Sequence, residues 1–155
     1  AANDGNGYSA GPGPQVIDMG DLGRALPLIC YEGVFPQDVG NYAERPDFLL
    51  LITNDAWFGE FSGPYQHLAQ ARLRSAEQGL PMIRVANTGV SAMIDATGQV
   101  TASIPLGEAG WTDAALPPSL PPTIYARTGD VPALGFSLLL MALSFAFNRA
   151  RHRVR

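Results

Sequence analysis

Covalent chemistry in this chain points first to Cys30, its single cysteine, which closes the apolar run ALPLIC at residues 25–30 and is followed by Tyr31, Glu32 and Gly33. The end of a buried strand is where α/β proteins expose reactive side chains. A thiol reacts as its thiolate. Glu32, two residues on, can share a strand face with Cys30, but a carboxylate opposes a thiolate's charge and alone activates poorly. A cation is needed. The chain offers arginines and two histidines, His67 and His152, and no lysine. His67 falls on a polar helical stretch and reads as a solvated surface residue, with a Cys30–His67 pair as the alternative. Read without its neighbours, Cys30 is a packing residue, since free cysteines are among the most buried residue types.

A second cluster, Asn54-Asp55-Ala56-Trp57-Phe58-Gly59, directly follows the apolar run FLLLIT. One reading is an Asx-turn with its aromatics folded back on the core. The other is a loop lining a pocket for something apolar, with Asn54 hydrogen bonding and Trp57 and Phe58 as walls. A third polar turn, Asn87-Thr88-Gly89, also follows a buried run. If the three strands are neighbours, the three turns converge on one rim.

The elements that must position these turns are legible in the hydrophobic pattern. Residues 1–14, rich in Gly, Pro and Asn, read as a flexible lead-in. They lack the charged start and apolar stretch of a signal peptide. The first residue is not methionine, and the chain reads as a piece of something longer. Residues 15–19, 25–31, 48–53 and 82–86 read as strands, the middle two as runs covered on both faces. Residues 90–95 and 99–104 form a hairpin around Ala96-Thr97-Gly98. Residues 112–116 suggest an edge strand. Residues 35–44 suggest a short helix with Pro36 in its first turn. Residues 64–78 form a longer helix, with Tyr65, Leu68, Ala69, Leu73 and Ala76 as its apolar face and Gly79 and Pro81 as its stop. The class is a mixed α/β layered domain over residues 15–116.

PPSLPP opens a stiff linker over residues 117–130. Residues 131–147, VPALGFSLLLMALSFAF, carry no charge and no polar face, and Asn148 and four arginines follow. Seventeen residues span ~25 Å, near the lower limit for a ~30 Å hydrocarbon core. The run is expected to be a transmembrane helix, with a buried core helix as the other reading. Basic residues beside a span stay cytoplasmic, which puts the tail, 148–155, inside and residues 1–130 outside.

Composition agrees. Ten arginines stand against fourteen acids, for a net charge of −4, and without the last seven residues the charge is −8. That excludes a basic nucleic-acid-binding face. One cysteine excludes an internal disulfide.

Taken in order, PLICYE, LLITNDAWFG, GPYQHLAQARLRSAE, RVANTGVSAMIDATGQV and YARTGD ahead of an apolar helix resemble the nitrilase, or carbon–nitrogen hydrolase, superfamily. They are most similar to its membrane branch, the apolipoprotein N-acyltransferases, over roughly residues 15–150. The resemblance implies the C-terminal part of an α/β/β/α sandwich on the periplasmic face of a bacterial inner membrane. It implies a cysteine that takes an acyl chain from a phospholipid and passes it to the N-terminal amine of an apolipoprotein. Cys30 matches the nucleophile and Tyr31 and Glu32 the supporting residues after it. Asn54, Trp57 and Phe58 match the loop beside the site. No cofactor and no metal are called for.

The family triad is Glu-Lys-Cys, with both partners ahead of the cysteine. This chain has no lysine, and Asp4, Asp18 and Asp21 do not match the glutamate motif. The expectation is therefore a nucleophile-bearing part that does not turn over alone, is poorly soluble, and exposes Leu49, Leu51 and Ile29. Two other functions fit: a membrane-anchored amidohydrolase, with water as acceptor, and a non-catalytic remnant or interaction module.

Overall fold

The computed structural model describes residues 2–3, 7–8 and 11–153. Near the start, Ala2–Asn3 (β1) pairs antiparallel with Gly7–Tyr8 (β2), within the stretch expected to be a lead-in; the rest of residues 1–10 lies outside the described residues. The body is one mixed sheet of Ile17–Asp18 (β3), Arg24–Ile29 (β4), Phe48–Thr53 (β5), Met82–Ala86 (β6), Ser91–Ile94 (β7) and Val100–Ile104 (β8), in that spatial order. β4, β5 and β6 run parallel, and β3, β7 and β8 are antiparallel to their neighbours. Parallel neighbours need crossovers. The short helix Pro36–Val39 (α1) lies between β4 and β5, and Gly63–Gln78 (α2) lies between β5 and β6. α1 is shorter than the expected 35–44, and residues 112–116 form no strand. The hairpin turn before β8 is fixed by Asp95, whose Oδ1 accepts from the Thr97 and Gln99 amides and the Thr97 hydroxyl.

Register decides which residues form the core. Leu26, Leu49, Met82 and Ile94 stand side by side across four strands, as do Leu28 and Leu51. All six are buried, with Val39, Ala71 and Leu80 packed among them. Each large aliphatic side chain so buried contributes about 1.5–3 kcal/mol. Side chains alternate along a strand, so the next row, Ile29, Ile52 and Val85, faces the other way. These three are exposed. The expected exposure of Leu49 and Leu51 is thus corrected: they lie under α2, and Ile29 belongs to the opposite face. A cavity of about 660 Å³ opens on that face, lined in part by Ile83, Met93, Ile104, Trp111 and Leu116.

The buried face of α2 also differs from the expected one. Tyr65 and Leu73 are exposed, whereas Pro64, His67, Ala71, Arg74, Ser75 and Gln78 are buried. The helix turns a largely polar stripe inward, and most of that stripe is paired. Arg74 donates to the Val34 carbonyl at 3.1 Å and meets Glu77 at 2.8 Å, and Gln78 accepts from the Tyr42 hydroxyl at 3.1 Å.

The expected linker is partly structured. Arg45 donates to the carbonyls of Gln78, Gly79 and Leu120, which pins residue 120 to the end of α2. A short helix, Ile124–Thr128 (α3), follows, capped by the Thr123 hydroxyl. Val131–Arg153 (α4) is the last helix. Among the described residues, no helix is long and apolar enough to cross a membrane. The transmembrane expectation for 131–147 is corrected to that extent. The side chains of α4 are described without a break over residues 131–146. Every residue of that stretch is exposed.

Candidate active site

The C-terminal ends of the three parallel strands lie side by side, so the turns after β4, β5 and β6 share one rim. Ile29 pairs with Ile52, and Thr53 with Ala86. Cys30 therefore stands beside the start of the 54–59 loop, and Asn87 stands on its other side.

Cys30 opens a tight 3₁₀ turn, Cys30–Val34, directly after β4. Its φ is +52°, and it is the only non-glycine residue with positive φ among the described residues. For an L-residue this left-handed conformation costs on the order of 1–2 kcal/mol. Two contacts hold it. Glu32 turns back so that its carboxylate accepts from the Ile29 amide at 2.6 Å. Gly33 is buried against Leu51, where an added Cβ would come within 3.0 Å of Leu51 Cδ1. The result is a sharp strand-to-helix elbow that lifts a half-buried thiol to the rim. Tyr31 is exposed and packs edge-on against Phe35, with ring centroids 5.4 Å apart.

The second loop begins with Asn54, whose Oδ1 accepts from the Ala56 amide at 3.2 Å and from Asn87 Nδ2 at 2.6 Å. Asn87 Oδ1 in turn accepts from the Asp55 and Thr88 amides. The two asparagines thus lock the β5 and β6 turns together. The aromatics part company: Trp57 projects outward, 81% exposed, while Phe58 is half-buried and meets the His67 ring edge-on at 5.3 Å.

Sequence reasoning missed the groups beneath this loop. Asp55 is fully buried. Its Oδ2 takes Arg84 at 2.6 Å, and its Oδ1 takes His67 Nδ1 at 2.9 Å and the Thr53 hydroxyl at 3.1 Å. Arg84 also donates to the Val90 carbonyl. His67, expected at the surface, is buried, and its Nδ1 is engaged by Asp55 rather than by Cys30. Its Nε2 has no hydrogen-bond partner among the described residues. The signal was present: a lone arginine in the buried strand MIRVA requires a buried carboxylate nearby.

Burial pushes the Asp55 carboxyl up, but hydrogen bonds and charge from Arg84 and His67 outweigh it and hold the group below the ordinary carboxylate range. Its folded pKa is depressed, so its contribution to stability is full above the unfolded value. It is lost as pH falls below about 4, toward the folded value. The difference in unfolding midpoint between wild type and Asp55→Asn is therefore expected to be constant above pH 5 and to shrink below pH 4. A difference that stays constant to pH 2.5 contradicts this.

A strand-to-helix elbow carrying a thiol, set in a nitrilase-like α/β sheet, defines a class. Residues 7–122 match the carbon-nitrogen hydrolase family, and the chain belongs to it. Among curated proteins it is similar to the apolipoprotein N-acyltransferase of Bradyrhizobium diazoefficiens, 51% identical over 138 residues, which is 89% of this chain and 26% of that protein. The apolipoprotein N-acyltransferase of Rhodopseudomonas palustris is 48% identical over 137 residues, 88% of this chain and 26% of that protein. The chain spans about a quarter of the length of these relatives. Among solved structures, a variant of the amidase from Nesterenkonia sp. AN1 with acrylamide added at its active-site cysteine superposes with a TM-score of 0.55. Its identity is 19%, covering 81% of this chain and 49% of that one, a likeness in fold.

Proposed function

We propose that this chain carries the nucleophile of an apolipoprotein N-acyltransferase of bacterial lipoprotein maturation. The observation that carries the reading is the elbow at Cys30, in a chain about half identical to enzymes of that name. In the first half-reaction the Cys30 thiolate attacks the ester carbonyl of a phospholipid. A C–S bond forms, the ester C–O bond breaks, and the lysophospholipid leaves as an alcohol after taking a proton. In the second, the α-amine of a lipid-modified N-terminal cysteine attacks the thioester. A C–N bond forms, the C–S bond breaks, the thiolate returns, and the amine's proton goes to a base. Glu32 and Tyr31 support the elbow, and Asn54 orders the neighbouring loop. Trp57, Phe58 and the exposed apolar residues near them meet the acyl chain. The chain has no lysine, so a lysine that stabilises the oxyanion comes from outside residues 1–155, as does the glutamate base. A second sheet covering Ile29, Ile52 and Val85 completes an α/β/β/α sandwich.

The membrane belongs to the same reading. The apolar side chains of α4 are uncovered, Leu139 and Phe136 among them at 55% and 62% exposed, and lipid is the solvent that suits them. Arginines 149, 151, 153 and 155 then mark the cytoplasmic end, with residues 1–130 periplasmic. A tag after Arg155 is expected to resist protease in intact spheroplasts. Its removal from outside contradicts the orientation.

The acceptor separates acyl transfer from amide hydrolysis, the reaction type suggested by the amidase neighbours. The natively expressed protein, given acyl-labelled phospholipid and a diacylated peptide with a free N-terminal amine, is expected to place the label in an amide on the peptide. Release of label only as free fatty acid favours hydrolysis.

A further inference from the structure

The proposed reaction uses Cys30 and its rim but leaves unexplained a charged cluster sealed beneath it. Asp55, His67 and Arg84 come from the β5 turn, α2 and β6, and all three are at least nine-tenths buried, at 0%, 3% and 1% exposure. Buried ions are costly in water-free surroundings and rarely improve stability over apolar packing. Here each link reaches the loop that borders the cysteine. Asp55 is itself a loop residue. His67 touches Asp55 through Nδ1 and the Phe58 ring through its edge. Arg84 ties Asp55 to the Val90 carbonyl, beyond the third polar turn. Gly89 leaves no room above the carboxylate, and a methyl there would run into it.

An ionised carboxylate only accepts hydrogen bonds, so the His67 proton sits on Nδ1. Nε2, on the other side of the ring, has no hydrogen-bond partner among the described residues. Arg84 approaches Nδ1 at 3.3 Å, but that nitrogen is already donating to Asp55. One face of the histidine is committed and the other is idle.

We propose that His67 and Arg84 are positioning residues. Clamped on Asp55, they fix the 54–58 loop at its distance from Cys30, and so set where the acyl chain lies during thioester formation. The catalytic half of this inference rests on the acyl-transfer reading above. The geometric half does not.

Two substitutions at His67 separate the nitrogens. Asparagine places its amide NH₂ where Nδ1 stands, while glutamine places it near Nε2. In the natively expressed protein, His67→Asn is expected to keep hydrogen exchange at 54–58 within about threefold of wild type. His67→Gln is expected to speed it at least tenfold, with exchange at 49–52 unchanged. Thioester formation on Cys30, followed by intact mass with an acyl-labelled phospholipid, is expected to fall at least tenfold in kcat in His67→Gln only, with KM within threefold.

Unchanged loop exchange in His67→Gln overturns the proposal, as does equal acceleration throughout the sheet, which marks general destabilisation. A faster loop with undiminished thioester formation overturns the catalytic half. Loss of activity in His67→Asn with retention in His67→Gln makes Nε2 the working atom and also overturns it. A wild type that forms no thioester defeats the acyl-transfer reading instead, and the exchange data still decide the geometric half.

Discussion

Cys30→Ala is expected to abolish acyl transfer by the natively expressed protein, and Cys30→Gly is expected to do the same while leaving the fold more stable than Cys30→Ala does. Removing a covalent nucleophile costs roughly 10⁶-fold in turnover in well-studied hydrolases, which here means background. The stability half follows from the backbone. Alanine keeps a Cβ and therefore the strain of φ +52°. Glycine adopts that conformation freely, at the cost of a more flexible unfolded chain. The balance leaves Cys30→Gly about 1 kcal/mol more stable than Cys30→Ala by urea unfolding. Equal stability of the two variants would mean the elbow is relaxed. Activity retained in either would remove Cys30 from the chemistry. A residue that costs stability where it stands is the pattern expected of a functional position.

The second large effect concerns Arg84. Replacing it with methionine keeps the length of the side chain and strands the fully buried Asp55 carboxylate. Breaking a buried pair from one side costs about 3–5 kcal/mol, against a total stability of about 5–15 kcal/mol for a domain. Arg84→Met is therefore expected to lower the urea midpoint severely or to prevent folding. Asp55→Asn/Arg84→Met removes the stranded charge and is expected to recover part of the loss, because neutral groups are cheaper to bury. A single-variant loss below about 1 kcal/mol, or a double variant worse than Arg84→Met, contradicts the buried pair.

Much of this frame is written plainly in the sequence. The runs at β4, β5 and β6 are too apolar for an exposed sheet, and their parallel pairing follows from the connecting segments between them. The convergence of the turns at Cys30, Asn54 and Asn87 follows in turn. Which side of α2 is buried was not legible, because hydrophobic periodicity assumes that buried means apolar. α2 buries His67, Arg74 and Gln78 and exposes Leu73, and its inward face is visible only once partners on other elements are known. The same holds for Trp57 and Phe58. Adjacent aromatics look alike in sequence, yet a short 3₁₀ turn sends one to solvent and the other onto His67. The apolar run at 131–147 was legible as a helix without a polar face, read as a membrane span, whereas the exposure of residues 131–146 is visible only in the fold.

The central claim is that Cys30 accepts an acyl group from a phospholipid. It is tested most directly by peptide mapping of the natively expressed protein after incubation with phospholipid and no acceptor. The account predicts the peptide containing Cys30 heavier by one acyl chain, with hydroxylamine removing the addition and Cys30→Ala never acquiring it. An unmodified Cys30 peptide, or an acyl group on any other residue that hydroxylamine leaves in place, would contradict it.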